Sequence, residues 1–298
     1  MKLLIKHLHI INLAQERPLE QEDSISYYGM PQEDAMKERA EKFLAGIKAG
    51  SLQKGAHAFL TDPAISEAFG YFGYDFVWID AEHGHFDKEK ILAHITSANC
   101  AGAAAFVRAA AGTPEIIKPI LEMGPEGIII PLVESPEQAR AVMSACLYPP
   151  EGKRGFGPRR AQGYGHIPVQ TYLDEAAAST LVFLQIEHID AVHRISEICA
   201  VPGIGGIILG PFDLSGSVGL LGQVTHPTVM QLCCQVIAAC KDSGVPCGIS
   251  VGPGDREYIR YWVERRIDFI ACGDDLSFLR QGSQEVLGFF KELEEERK

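Results

Sequence analysis

Two carboxylates stand where apolar runs stop: Glu187 near the end of LVFLQIEH (181–188) and Asp213 near the end of GIGGIILGPFDL (203–214). If those runs are neighbouring strands, roughly 4.8 Å apart, the two side chains can share one ion. With oxygen ligands, and no Cys or His beside them in the expected geometry, that ion would be hard, Mg²⁺ or Mn²⁺, with water or substrate completing its shell. An open shell of this kind serves catalysis. Either residue alone could equally cap the helix that follows it, since Asp is a favoured N-cap; the paired placement favours the metal.

Three further segments supply partners for such an ion. Arg108 sits inside the apolar run AAFVRA (104–109), where a guanidinium must meet an anion or an ion-pair partner, Asp80 being one choice. WIDAEHGHFD (78–87) sets Asp80 three residues before His83, with Glu82 beside it. A carboxylate near an imidazole can orient the ring and raise its basicity, which suits a general base. His85 competes for that role from further into the loop, and His83 is preferred. In GPFDLSGS (210–217) a Gly210–Pro211 turn opens a helix whose first N–H groups offer a seat for a carboxylate.

Other chemistries find less support. The chain has no G-x-S-x-G, no lysine at the end of an apolar run that could serve as a Schiff-base amine, and neither of the glycine-rich phosphate loops. Its 27 Lys and Arg against 39 Asp and Glu give a net charge of −12, which disfavours a nucleic-acid partner. Eight cysteines without a C-x-x-C pair suggest reduced thiols in a cytoplasmic protein. The opening MKLLIKHLHIINLA is interrupted by Lys6, His7 and His9 and is too short for a signal core or a membrane span, so no membrane partner is expected.

The elements that must position these residues are eight apolar runs alternating with stretches of helical length: 55–61, 75–83, 104–109, 127–135, 181–188, 203–214, 246–252 and 269–275. They read as continuous Val, Ile, Leu and Phe, as strands buried on both faces do. Eight βα units predict an α/β fold of the (β/α)8 TIM-barrel type, with a doubly wound open sheet as the alternative. Asp80, Glu82, His83, Arg108, Glu134, Glu187, Asp213, Asp274 and Asp275 all fall at C-terminal run ends, the face where barrels build active sites. Residues 15–42 are polar and broken by Pro18, Gly29 and Pro31, and read as a linker or loose arm. The organisation expected is an N-terminal arm over 1–36 and one barrel over 37–298.

Taken in order, WIDAEHG, FVRA, IIIPLVESPEQAR, YPPEGKRGFGPRRA, LQIE and GPFDLSGSVG resemble the HpcH/HpaI class II pyruvate aldolases, over roughly residues 37–290. The resemblance implies a barrel of the phosphoenolpyruvate/pyruvate type and cleavage of a 4-hydroxy-2-oxoacid to pyruvate and an aldehyde. It implies that Glu187 and Asp213 hold a divalent cation (Mg²⁺ or Mn²⁺, with Co²⁺ a further option) that pyruvate chelates. By the same carry-over Arg108 binds the keto oxygen, Gln185 lies near pyruvate, and the N–H groups of Phe212 and Asp213 receive its carboxylate. His83, supported by Asp80, would take the 4-hydroxyl proton.

The chain departs from the family pattern in the first strand, where GAHAF places His57 and Phe59 instead of a frequent Trp, and at Phe212, where a small residue is usual. The family also suggests that the loop 151–165, with Arg154, Arg159 and Arg160, borders the acceptor site and would suit an acidic aldehyde. Its members assemble as homohexamers, trimers of dimers, with a C-terminal helix exchanged between subunits, a part FLRQGSQEVLGFFKELEEERK could play. Rival readings are a citryl- or malyl-CoA-type lyase, a citrate-forming condensation, and a non-catalytic oxo-acid binder.

Overall fold

The computed structural model describes residues 32–252 and 256–297. The expected arm falls, up to residue 31, outside the described residues. Eight strands close a barrel in sequence order: β1 (Gln53–Ala58), β2 (Phe76–Asp80), β3 (Ala104–Arg108), β4 (Gly127–Ile130), β5 (Leu181–Ile186), β6 (Gly206–Leu209), β7 (Cys247–Val251) and β8 (Phe269–Asp274). Each neighbouring pair is parallel, with β8 returning to β1. Closure excludes the open doubly wound sheet. The helices are α1 (Gln32–Lys48), α2 (Ala64–Tyr71), α3 (Lys88–Cys100), α4 (Pro114–Glu122), α5 (Pro136–Cys146), α6 (Val169–Ser179), α7 (Ile189–His193), α8 (Ile195–Cys199), α9 (Pro211–Ser217), α10 (Pro227–Ser243), α11 (Arg256–Glu264) and α12 (Asp275–Glu296). None of the described helices is long and apolar enough to cross a membrane.

The period of two along each strand sorts its side chains between two cores. On β2, Val77 and Ile79 pack outward beneath the helices, whereas Phe76 and Trp78 join the cluster that fills the barrel. By the same alternation Asp80 is the next residue to point inward. Large and small residues interlock inside: a Cβ on Gly55 would fall within the Phe76 ring, and one on Gly248 within the Phe269 ring. These glycines make room for the phenylalanines, as a filled barrel requires.

Helix α1 closes the end where the strands begin. Phe43 meets Phe106 edge-on at 4.9 Å between ring centroids, Phe269 at 5.5 Å and Phe76 at 5.7 Å. The buried Arg39 donates from Nε to Glu126 Oε1 at 2.8 Å, and Glu126 Oε2 accepts from Asn99 and from the Ala105 N–H, so this charge is paired throughout. Residues 32–42, read from sequence as loose chain, are therefore helix. Their composition is mostly polar and charged, while Ala40, Phe43, Leu44 and Ile47 form one apolar stripe. With α1 packed against the floor, the ionisable strand-end residues lie at the opposite, C-terminal face.

Candidate active site

Backbone register decides what meets at the mouth. Asp80 and Arg108 are paired positions on β2 and β3, and their inward side chains form a bidentate ion pair, Arg108 Nε donating to Asp80 Oδ1 at 3.2 Å and Nη2 to Oδ2. Arg108 Nη1 also lies 3.0 Å from Glu82 Oε2. Asp80 is fully buried. Its Oδ1 accepts from the backbone N–H groups of Glu82 (3.1 Å) and His83 (3.0 Å), which pins the turn that follows β2. The His83 imidazole is 62% exposed, and its nearby carboxylate is Glu82, at 3.9 Å. Asp80 thus reaches His83 through the main chain, by holding the turn rather than the ring. His85 is exposed.

Across the mouth, Glu187 follows β5 and is 3% exposed. Its Oε1 accepts from the Leu132 N–H at 2.8 Å and its Oε2 from Gln185 Nε2 at 2.5 Å. The approach is tight enough to demand glycine at the end of β6: a Cβ on Gly210 would lie 2.5 Å from Glu187 Oε2 and 2.9 Å from Gln185 Nε2. Burial, with repulsion from Asp213 and Glu82, pushes the Glu187 carboxyl up to about 7, against the Leu132 N–H and Arg108. Burial likewise raises Glu82, opposed chiefly by Arg108.

Neither Glu187 nor Asp213 is a helix N-cap. His188 caps α7 through its side chain and Gly210 occupies that position for α9, with Asp213 in the first turn. Asp213 and Phe212 are exposed at the rim, and their N–H groups lie in the first turn, where a helix offers no internal acceptor. The mouth therefore gathers Asp80, Glu82, Glu187 and Asp213 around one guanidinium, Arg108. Gln185 Oε1 is buried there without a partner.

A cavity of about 510 Å³ opens from this cluster toward β7, β8 and β1, lined by His57, Phe59, Arg108, Phe212, Ser250 and Asp274 among others. His57 and Phe59 were visible in sequence as unusual first-strand residues; Ser250, inside the ordinary-looking PCGISVG, carried no signal. Glu134, His188 and Asp190 bring one donor atom each within 4.8 Å of one another in the connections after β4 and β5. There His188 Nδ1 accepts from the Asp190 N–H at 3.3 Å, a capping contact.

Arg154 and Arg160 lie elsewhere within the chain. Arg160 donates to the carbonyls of Met123 and Gly124, ahead of β4, at 2.8 and 2.9 Å. Arg154 stacks over Tyr148 at 4.5 Å and faces a second cavity, of about 1090 Å³, beside the starts of β5, β6 and β7. The loop joins α5 to α6, so it runs past the strands' N-terminal ends, opposite the mouth.

Comparison with known proteins places this arrangement in context. Residues 53–279 match the family described as HpcH/HpaI aldolase/citrate lyase. A 2-dehydro-3,6-dideoxy-6-sulfogluconate aldolase from Pseudomonas putida is 35% identical over 242 residues, covering 81% of this chain and 93% of that protein. A 5-keto-4-deoxy-D-glucarate aldolase from Salmonella arizonae is 33% identical over 251 residues, 84% and 96% of the two chains. Among solved structures, an HpcH/HpaI aldolase/citrate lyase family protein from Burkholderia cenocepacia superposes with a TM-score of 0.78 at 28% identity, covering 87% of this chain and 99% of the other. A citrate synthase gives a TM-score of 0.75 at 25% identity, covering 84% and 98%.

Proposed function

Because the chain belongs to the HpcH/HpaI aldolase/citrate lyase family, we propose that it is a divalent-metal-dependent aldolase, cleaving a 4-hydroxy-2-oxoacid to pyruvate and an aldehyde and joining the two in reverse. The observation that carries this reading is the convergence on one mouth of the buried Glu187, its carboxyl pushed up to about 7, with Asp213, Glu82 and Arg108. Such a cluster suits a hard cation: it offers oxygen donors, like charges that repel one another, and an unpartnered buried Gln185 Oε1. Glu187 and Asp213 are the residues that would hold it. When bound, a divalent cation supplies Lewis-acid polarisation of the keto oxygen.

The chain's own groups account for the rest. Arg108, fixed by Asp80 and Glu82, faces the keto oxygen and stabilises the negative charge that develops there. The Phe212 and Asp213 N–H groups seat the substrate carboxylate. His83, on the turn pinned by Asp80, takes the proton from the 4-hydroxyl. The C3–C4 electron pair then passes into the three-carbon portion, the aldehyde leaves, and protonation at C3 gives pyruvate.

The remaining proposals concern setting. Helix α12 holds Leu279, Val286, Leu287, Phe289 and Phe290 more than half exposed, which fits a helix handed to another copy in a homo-oligomer, with a hexamer as the assembly proposed. The eight free thiols suit the cytoplasm. A second reading, a citrate-forming condensation, draws on the likeness to a citrate synthase.

The deciding experiment measures pyruvate release from a panel of 4-hydroxy-2-oxoacids by chelator-stripped protein resupplied with Mg²⁺, Mn²⁺ or Co²⁺. Release that returns with metal supports the aldolase. No release under any metal, together with no exchange of pyruvate methyl protons with solvent, overturns it; citrate formed from oxaloacetate and an acetyl thioester instead selects the second reading.

A further inference from the structure

The side of the mouth away from Glu187 and Asp213 is built by β7, β8 and β1, and a buried imidazole organises it. His57 Nδ1 lies 2.9 Å from the Gly273 carbonyl oxygen, and Nε2 lies 3.1 Å from Ser250 Oγ. A carbonyl only accepts, so Nδ1 carries the ring proton, Nε2 is a bare acceptor, and the Ser250 hydroxyl donates to it. Burial lowers the basicity of His57, outweighing the Gly273 carbonyl and the charges of Asp80 and Asp274, which keeps the ring neutral and this polarity in place. Trp78, 4.7 Å from the His57 ring by centroids, and Phe59 at 6.1 Å pack beside it.

Ser250 has one hydrogen, and His57 takes it. The lone pairs of Oγ are what the hydroxyl then presents to the cavity that it lines with Arg108. Such an oxygen attracts a hydrogen-bond donor. With the pyruvate portion between Glu187, Asp213 and Arg108, the other half of the substrate must extend into this cavity.

We propose that Ser250, oriented by His57, accepts a hydrogen bond from a hydroxyl on the aldehyde half of the substrate, so that aldehydes bearing such a hydroxyl are preferred over those without it. The inference rests on the aldolase reading above. His57 acts here as a positioning residue, through Ser250.

The test is the condensation of pyruvate with glycolaldehyde and with acetaldehyde, which differ by one hydroxyl, by the metal-loaded full chain. The readout is the ratio of the two kcat/KM values, which is internal to each variant and does not depend on the fraction folded. Ser250→Ala is expected to lower the ratio about tenfold, the loss of one well-placed hydrogen bond. Ser250→Thr, which keeps the hydroxyl, should hold the ratio within about twofold, and His57→Phe, which leaves the hydroxyl free to rotate, should fall between. An unchanged ratio in Ser250→Ala, in a protein that still exchanges pyruvate methyl protons, overturns this assignment alone. Absence of exchange in the parent protein overturns the aldolase reading and this inference with it.

Discussion

Glu187→Gln should stabilise the metal-free protein at neutral and alkaline pH while removing its response to metal. The parent carboxyl is raised from 4.5 to about 7 by burial and by Asp213 and Glu82. An acid raised on folding holds its proton more tightly in the folded state. Its contribution is therefore present in full below about pH 4.5 and is lost as pH rises through about 7. At 1.36 kcal/mol per pKa unit the ionised group costs the stripped protein about 3 kcal/mol above neutrality, and about 2.5 kcal/mol of that develops between about pH 5 and pH 8.

The glutamine avoids this charge and can be satisfied in place. Its oxygen can accept from the Leu132 N–H, and a turn of the Gln185 amide would offer it the Oε1 that now lacks a partner. Urea denaturation of chelator-stripped parent and variant at the two pH values isolates the effect, because the other titrating groups are common to both. Added Mg²⁺ or Mn²⁺ should restore the parent, more at the higher pH where the carboxylate is ionised, and leave the variant unmoved. If parent and variant lose stability in parallel between the two pH values, the carboxyl is not raised and the electrostatic argument for the metal fails.

Arg108→Met should cost about 3–5 kcal/mol in urea denaturation, because Asp80 is left buried without its counter-charge, and should remove cleavage in the pyruvate-release assay. Gly210→Ala places a Cβ 2.5 Å from Glu187 Oε2 and should weaken metal binding about 10–100-fold by calorimetry. His83→Ala should lower cleavage about 10²–10⁴-fold, the usual worth of a positioned proton acceptor, with thermal stability unchanged because the ring is 62% exposed. Phe212→Ala should alter stability by less than about 0.5 kcal/mol, the side chain being 62% exposed, while raising kcat/KM for bulkier aldehydes.

The barrel was legible in the chain because each parallel strand is buried on both faces, and a run that must be apolar throughout stands out from amphipathic helix. The observed β2, β3, β4, β5, β7 and β8 all begin within a residue of the expected runs, and Asp80, Arg108 and Glu187, expected at C-terminal ends, lie at one mouth. Helix α1 was hidden because its single apolar stripe is outnumbered by charged residues along the segment.

What the sequence left open was who faces whom. It offered Arg108 either to an anion or to Asp80, and barrel register, which sets β2 and β3 side by side at those two residues, shows that the Asp80 pair forms, holding the guanidinium at the mouth. It proposed that Asp80 orients the His83 ring, whereas the turn leaves that imidazole outward and brings only the backbone N–H to the carboxylate. It suggested Arg154 and Arg160 for the acceptor side, but a loop joining two helices returns toward the strands' beginnings, away from the mouth. His57 and Ser250 are 193 residues apart and meet only because β7, β8 and β1 close the cylinder. Residue types and local periodicity fix each strand and what stands at its end. Closure and register, which depend on every strand at once, decide which of those ends touch.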